Sequence, residues 1–130
     1  MIMRYLLDTH TFLWMAANPS NLSSKVREIV REKDNKLHLS AASGWEIALL
    51  QQLHRVELPD EPQRFIPEAM QRLSVLPLPI GFTTAISAAM LPFIHRDPFD
   101  RIIIAEAMKE NMTVLTKDKK IAKYRIQSLW

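Results

Sequence analysis

The sequence predicts an α/β fold, a central parallel sheet covered by helices on both faces. Short apolar runs such as Tyr5-Leu6-Leu7, Leu37-His38-Leu39-Ser40 and Thr113-Val114-Leu115-Thr116 alternate with longer segments whose apolar residues recur at helical spacing. Most runs are separated from the next by at least one helix, and such connections return the chain to a neighbouring strand in the same direction. With 130 residues, 48% of them apolar, and no low-complexity stretch, residues 1–130 are expected to form one domain with a sizeable core.

Taken in order, Tyr5-Leu6-Leu7 reads as a buried first strand that stops at Asp8. Thr9 or Thr11 is expected to cap a short helix through Phe12, Leu13, Trp14 and Ala17, closed by Asn18-Pro19-Ser20. Ser23 or Ser24 caps a charged helix to about Lys33, with Val26, Ile29 and Val30 on one face. A second strand over 37–40 leads into a helix that reaches about His54. Asp60-Glu61-Pro62 opens a helix toward Leu73, which Pro67 could kink or split. Val75-Leu76-Pro77-Leu78-Pro79 carries too much proline for a central strand and belongs at an edge. Gly81 precedes an Ala-rich helix over about 83–90. The next helix starts at Asp97-Pro98, a cap followed by proline at the first helical position, and runs to about Asn111. A strand over 113–116, a turn capped by Asp118, and a last strand over 126–129 complete the chain.

Composition removes several classes. Without cysteine there are no disulfides and no thiolate-bound zinc, which suits a reducing cytoplasmic setting. The opening run Met1–Leu7 is too short for the apolar region of a signal peptide, and no segment approaches the roughly 20 apolar residues of a membrane span, so a soluble protein without membrane contact is expected. Two glycines leave no phosphate-cradling loop. His10 stands where a phosphoaspartate phosphatase would carry a second acid. The net charge of +3 matters less than its distribution. Lys117, Lys119, Lys120, Lys123 and Arg125 crowd one end of the chain, with Arg96 and Arg101 beside the acids of the 97–100 motif, which is either a solvated face or an approach for a polyanion.

Four acids stand out. Asp8 and Asp118 follow apolar runs and fall at the carboxyl ends of strands, where parallel sheets form their sites. Asp100 shares a helix face with Ile103, Ile104 and Ala107, an apolar stripe on which an unpaired carboxylate is costly. Glu46 either closes a Ser43-x-x-Glu capping box or, if Ser40 is the cap, lies inside the helix on a face with Leu49, Leu50 and Leu53. Each acid alone also reads as a cap or a first-turn acid favoured by the helix dipole. Gathered on one rim, they would repel one another until a hard divalent cation joined them. Oxygen donors select Mg²⁺ or Mn²⁺ over zinc, which leads to metal-dependent hydrolysis of a phosphodiester. Thr9 and Thr116, beside the acids, could orient a ligand or a water.

Leu6-Leu7-Asp8-Thr9-His10, Ser43-Gly44-Trp45-Glu46-Ile47-Ala48, His95-Arg96-Asp97-Pro98-Phe99-Asp100-Arg101 and Leu115-Thr116-Lys117-Asp118 together resemble the PIN-domain ribonucleases, especially the VapC-like toxins of bacterial toxin–antitoxin pairs. The resemblance runs nearly the whole chain and implies a PIN-like three-layer sandwich. By this resemblance Asp8, Glu46 and Asp100 correspond to the first, second and third metal-binding acids, and Asp118 to a fourth. Asp97, which precedes Pro98, is assigned to capping. The resemblance also implies a Mg²⁺- or Mn²⁺-dependent endoribonuclease with an RNA substrate, a homodimer, and a cognate antitoxin that blocks the site.

The rival reading is a non-catalytic PIN-like module that binds RNA or protein; the presence of all four acids favours the enzyme. His10 and His95, near the acids in sequence, are alternatives as zinc ligands or proton shuttles, but no histidine pair has helical ligand spacing. His38 and His54 read as ordinary strand and helix-end residues. Trp14 and Trp45 read as core or partner surface.

Overall fold

A computed structural model describes residues 3–130; Met1 and Ile2, which open the N-terminal apolar run, lie outside the described residues. Five strands form one fully parallel sheet: β1 (Arg4–Leu7), β2 (Lys36–Ser40), β3 (Val75–Leu78), β4 (Thr113–Leu115) and β5 (Ser128–Leu129), in the order β3-β2-β1-β4-β5. Between them run α1 (Thr9–Ala17), α2 (Ser24–Arg31), α3 (Ala41–Gln52), α4 (Pro62–Leu73), α5 (Phe82–Met90) and α6 (Pro98–Glu110).

Alternation along the central strands divides the core into two halves, one on each sheet face. Tyr5, Leu7, Leu37, Leu39 and Leu115 pack with Phe12 and Met15 of α1, Val26 of α2, Ile47 of α3 and Ile66 of α4. Leu6 and Val114, on the opposite face, pack with Ile103, Ile104 and Ala107 of α6, and with Met112, Ile121 and Tyr124. Helices on both faces make the three expected layers.

Most element boundaries agree with the pattern reading to within two residues. Pro67 neither ends nor splits α4, which runs through it to Ser74 in the left-handed region (φ 57°). As expected, β3 lies at an edge of the sheet, with Pro77 in register with Leu39 of β2. An outermost strand tolerates a residue without an N–H because one side of it has no ladder to complete.

After β1 the chain passes to β2 on one side, and only later crosses to β4 on the other. The gap beyond the carboxyl ends of β1 and β4 is therefore the place where strand order reverses and where open α/β sheets leave a crevice.

Candidate active site

Asp8 is the first residue past β1, with an extended backbone (φ −77°, ψ 169°). Its Oδ1 accepts the Thr11 N–H at 2.8 Å, so Asp8 itself caps α1 rather than Thr9 or Thr11, because its side chain sits one step earlier, where the free helical N–H groups point. Thr11 is buried and donates its hydroxyl to the Leu115 carbonyl at 2.8 Å, while Thr116 donates to Asp8 Oδ2 at 2.5 Å. Both carboxylate oxygens are thus held, and the residue is 8% exposed.

Ser40 caps α3, accepting the Ala42 N–H at 3.0 Å, which leaves Glu46 inside the helix and dissolves the Ser43 capping box. The Thr9 hydroxyl donates to Glu46 Oε1 at 2.6 Å, with the Ser43 hydroxyl 2.9 Å away on its other side. Burial pushes the Glu46 carboxyl up; the Thr9 hydroxyl offsets part of that, and the charges of Asp97 and Asp8 add to it.

Asp97 caps α6 as the sequence predicts, accepting the N–H groups of Phe99 at 2.9 Å and Asp100 at 3.4 Å. Asp100 follows in the first turn. Burial first, and then the charges of Asp97, Glu46, Asp8 and Asp118, push its carboxyl up to about 8. Asp118 stands on the turn after β4 and behaves oppositely. Burial works against its charge, but the His95 ring and the Lys120 and Ile121 backbone N–H groups outweigh burial and hold it below the usual range. Its Oδ1 accepts the Lys120 N–H at 2.7 Å, and its backbone N–H donates to Thr116 Oγ1 at 3.0 Å.

These side chains share one cavity of about 300 Å³, lined by Asp8, Glu46, Asp97, Asp100 and Asp118 with Thr9, His10, Trp14 and Lys117. All four acids singled out in the sequence therefore line the same cavity. Two are raised by burial in one another's company, and the donors are mostly carboxylate oxygens, a set that fits a hard divalent cation. A family model of the PIN domain matches residues 5–127. The chain belongs to the PIN-domain family. It is 30% identical to ribonuclease VapC22 of Mycobacterium tuberculosis over 123 residues, 92% of this chain and 91% of that protein. Among solved structures, VapBC2 from Rickettsia felis, bound to a DNA fragment from its promoter, superposes with a TM-score of 0.70 at 15% identity over 98% of both chains. DNA-bound VapBC from Salmonella typhimurium superposes at 0.64 and 17% identity, over 98% of this chain and 97% of that one.

Two residues of this PIN domain take places the sequence reading did not give them. His95, weighed only as a zinc ligand or proton shuttle, is buried with Nε2 3.0 Å from Asp100 Oδ2 and 2.9 Å from Asp118 Oδ2. Arg101, grouped with basic residues facing a polyanion, is 5% exposed and turned inward. Its guanidinium donates to the carbonyls of Ala89, Leu91, Pro92 and His95 at 2.8–3.1 Å, with the Phe93 ring centroid 4.4 Å away. The end of α5 leaves carbonyls unpaired, and a planar five-donor cation satisfies several at once. Trp14 packs on Trp130 at 5.6 Å and also lines the cavity, whereas Trp45 is largely exposed against Phe99. No helix among the described residues is long and apolar enough to cross a membrane.

Proposed function

We propose that this PIN domain is a metal-dependent endoribonuclease that hydrolyses RNA phosphodiester bonds as the toxin of a toxin–antitoxin pair. The observation that carries the reading is the single cavity lined by Asp8, Glu46, Asp100 and Asp118, with Asp100 pushed up to about 8 by burial and by the other acids. These four carboxylates would hold Mg²⁺ or Mn²⁺, which supplies a water of lowered pKa and a Lewis acid for a phosphate oxygen. Thr116 and the Thr11 N–H orient Asp8, and Thr9 orients Glu46, so both carboxylates are set before a ligand arrives. Lys117 lines the same cavity, and Lys119, Lys120, Lys123 and Arg125 are exposed along the segment that follows. Lys117 supports the polyanion reading, because a cation among the acids suits an approaching phosphate backbone, whereas Arg125 lines a separate hollow with Asn111 and Thr113.

The name of the relative, ribonuclease VapC22, and the VapBC assemblies among the similar structures support an RNA substrate and a cognate antitoxin. A second copy of the chain is the other proposed partner. Exposed Phe82, Ile86 and Met90 recur at four-residue spacing along α5 and so share one face, which supports protein partners. A toxin that acts on RNA works in the cytoplasm, and this is the setting proposed.

Purified protein with Mn²⁺ and total RNA tests the reading. The wild type should cut, an excess of EDTA should stop it, and Asp100→Asn should fall to background. Equal cutting by wild type and Asp100→Asn removes the proposal. Tight RNA binding with no metal-dependent turnover would replace it with a non-catalytic module.

A further inference from the structure

The segment between α5 and α6 is held from two sides. The His95 backbone N–H donates to the Tyr124 hydroxyl at 2.8 Å, and the His95 carbonyl accepts from Arg101 Nη1 at 2.9 Å. Tyr124 in turn donates its hydroxyl proton to the Pro92 carbonyl at 2.6 Å. Both polar groups of the His95 backbone are therefore engaged, and the ring is delivered to one place.

The two ring nitrogens then have different work. Nδ1 faces the Asp97 backbone N–H at 3.2 Å, and a peptide N–H can only donate. Nδ1 must be the bare acceptor, so the ring proton sits on Nε2. Nε2 lies 3.0 Å from Asp100 Oδ2 and 2.9 Å from Asp118 Oδ2, so a single N–H is shared between a carboxylate from α6 and one from the turn after β4. Resting on the metal-dependent reading above, we propose that His95 is a positioning residue. It is an Nε2–H donor that holds Asp100 and Asp118 together for the divalent cation and stays outside the cation's coordination shell.

Distance alone would allow the opposite, since His95, Asp100 and Asp118 offer ligand atoms all within 4.8 Å of one another. The Asp97 N–H decides between them. Ligation through Nε2 requires that nitrogen's lone pair, which moves the ring proton to Nδ1 and sets it against the Asp97 N–H, a lost hydrogen bond and two opposed donors in a buried place. Each carboxylate oxygen that accepts from the ring keeps a further lone pair for a cation.

Long-range ¹H–¹⁵N correlation spectra of labelled protein read the ring directly, with His95→Gln assigning its signals among the four histidines. We expect His95 protonated at Nε2 and bare at Nδ1 without metal, and unchanged when Mg²⁺ is added to saturation. A proton on Nδ1, or an Nε2 that loses its proton as Mg²⁺ binds, overturns the proposal. In calorimetric Mn²⁺ titrations His95→Ala should bind roughly tenfold or more weakly, as for lost partners of metal ligands, and His95→Gln, which keeps a donor at similar reach, should recover most of the affinity. Equal affinity in all three proteins also overturns it. If His95→Ala does not fold, the spectra of the wild type decide alone. None of these readouts uses RNA, so a protein with this tautomer that cuts no RNA would count against the nuclease and leave the role of His95 standing.

Discussion

The Thr116 hydroxyl donates to Asp8 Oδ2 at 2.5 Å, tying the carboxyl ends of β4 and β1 together across the crevice where strand order reverses. The Thr116 hydroxyl oxygen in turn accepts the backbone N–H of Asp118 at 3.0 Å. One side chain therefore sets the direction of the first acid and the backbone of the fourth.

Thr116→Val keeps the shape and removes both bonds. It should lower stability by about 1–3 kcal/mol, because a buried carboxylate oxygen and a backbone N–H lose their partner. With Asp8 holding the cation as proposed, it should also slow RNA cleavage by about tenfold or more, the usual cost of disturbing a group that orients a metal ligand. Thr116→Ser, which retains the hydroxyl, should restore most of both. Thermal melts and initial rates on the three proteins provide the comparison.

Arg101→Ala should be among the most damaging substitutions outside the cavity. Four carbonyls lose a buried cationic donor, a loss of about 3 kcal/mol or more, which corresponds to a fall of about 10 °C in melting temperature. Arg101→Lys should recover little, since one ammonium cannot span carbonyls spread over Ala89 to His95. A melting temperature for Arg101→Lys close to that of the wild type would contradict this account.

Glu106 on α6 lies in the core at 2% exposure, and neither of its carboxylate oxygens has a hydrogen-bond partner among the described residues. Burial pushes its carboxyl up to about 7. Between its ordinary value of 4.5 and about 7 the folded protein holds a proton that the unfolded chain has released, so stability falls as pH rises through that window and levels off above it. Glu106→Gln removes this dependence. Its stability relative to the wild type should rise by about 2–3 kcal/mol between pH 4.5 and pH 7, measured by urea unfolding. A constant difference across that range would exclude the buried carboxyl as its source.

The features legible in the sequence are those set by local pattern. Unbroken apolar runs such as Tyr5-Leu6-Leu7 and Val114-Leu115 identify strands buried on both faces, and Asp97-Pro98 marks the start of α6 because a cap followed by proline has few other uses. Asp100 was legible because a carboxylate in register with Ile103 and Ile104 conflicts with its surroundings. Where several residues could do the same local job, pattern was insufficient. Asp8, Thr9 and Thr11 all can cap, and the ladder that ends at Leu7 decides for Asp8. His95 and Arg101 were opaque for a different reason. Their partners are Asp118, Tyr124 and the carbonyls that end α5, groups brought near by the crossing from β3 to β4, and side-chain type carries no trace of that closure.

Pro77 at the middle of the edge strand β3 has a consequence for how the protein meets its neighbours. A foreign strand arriving at that border finds a gap where a donor should be, and cannot zip onto it residue by residue. The sheet is thus barred from lengthening there into a continuous ribbon shared between chains, and any lasting association along this side has to be made by interlocking side chains.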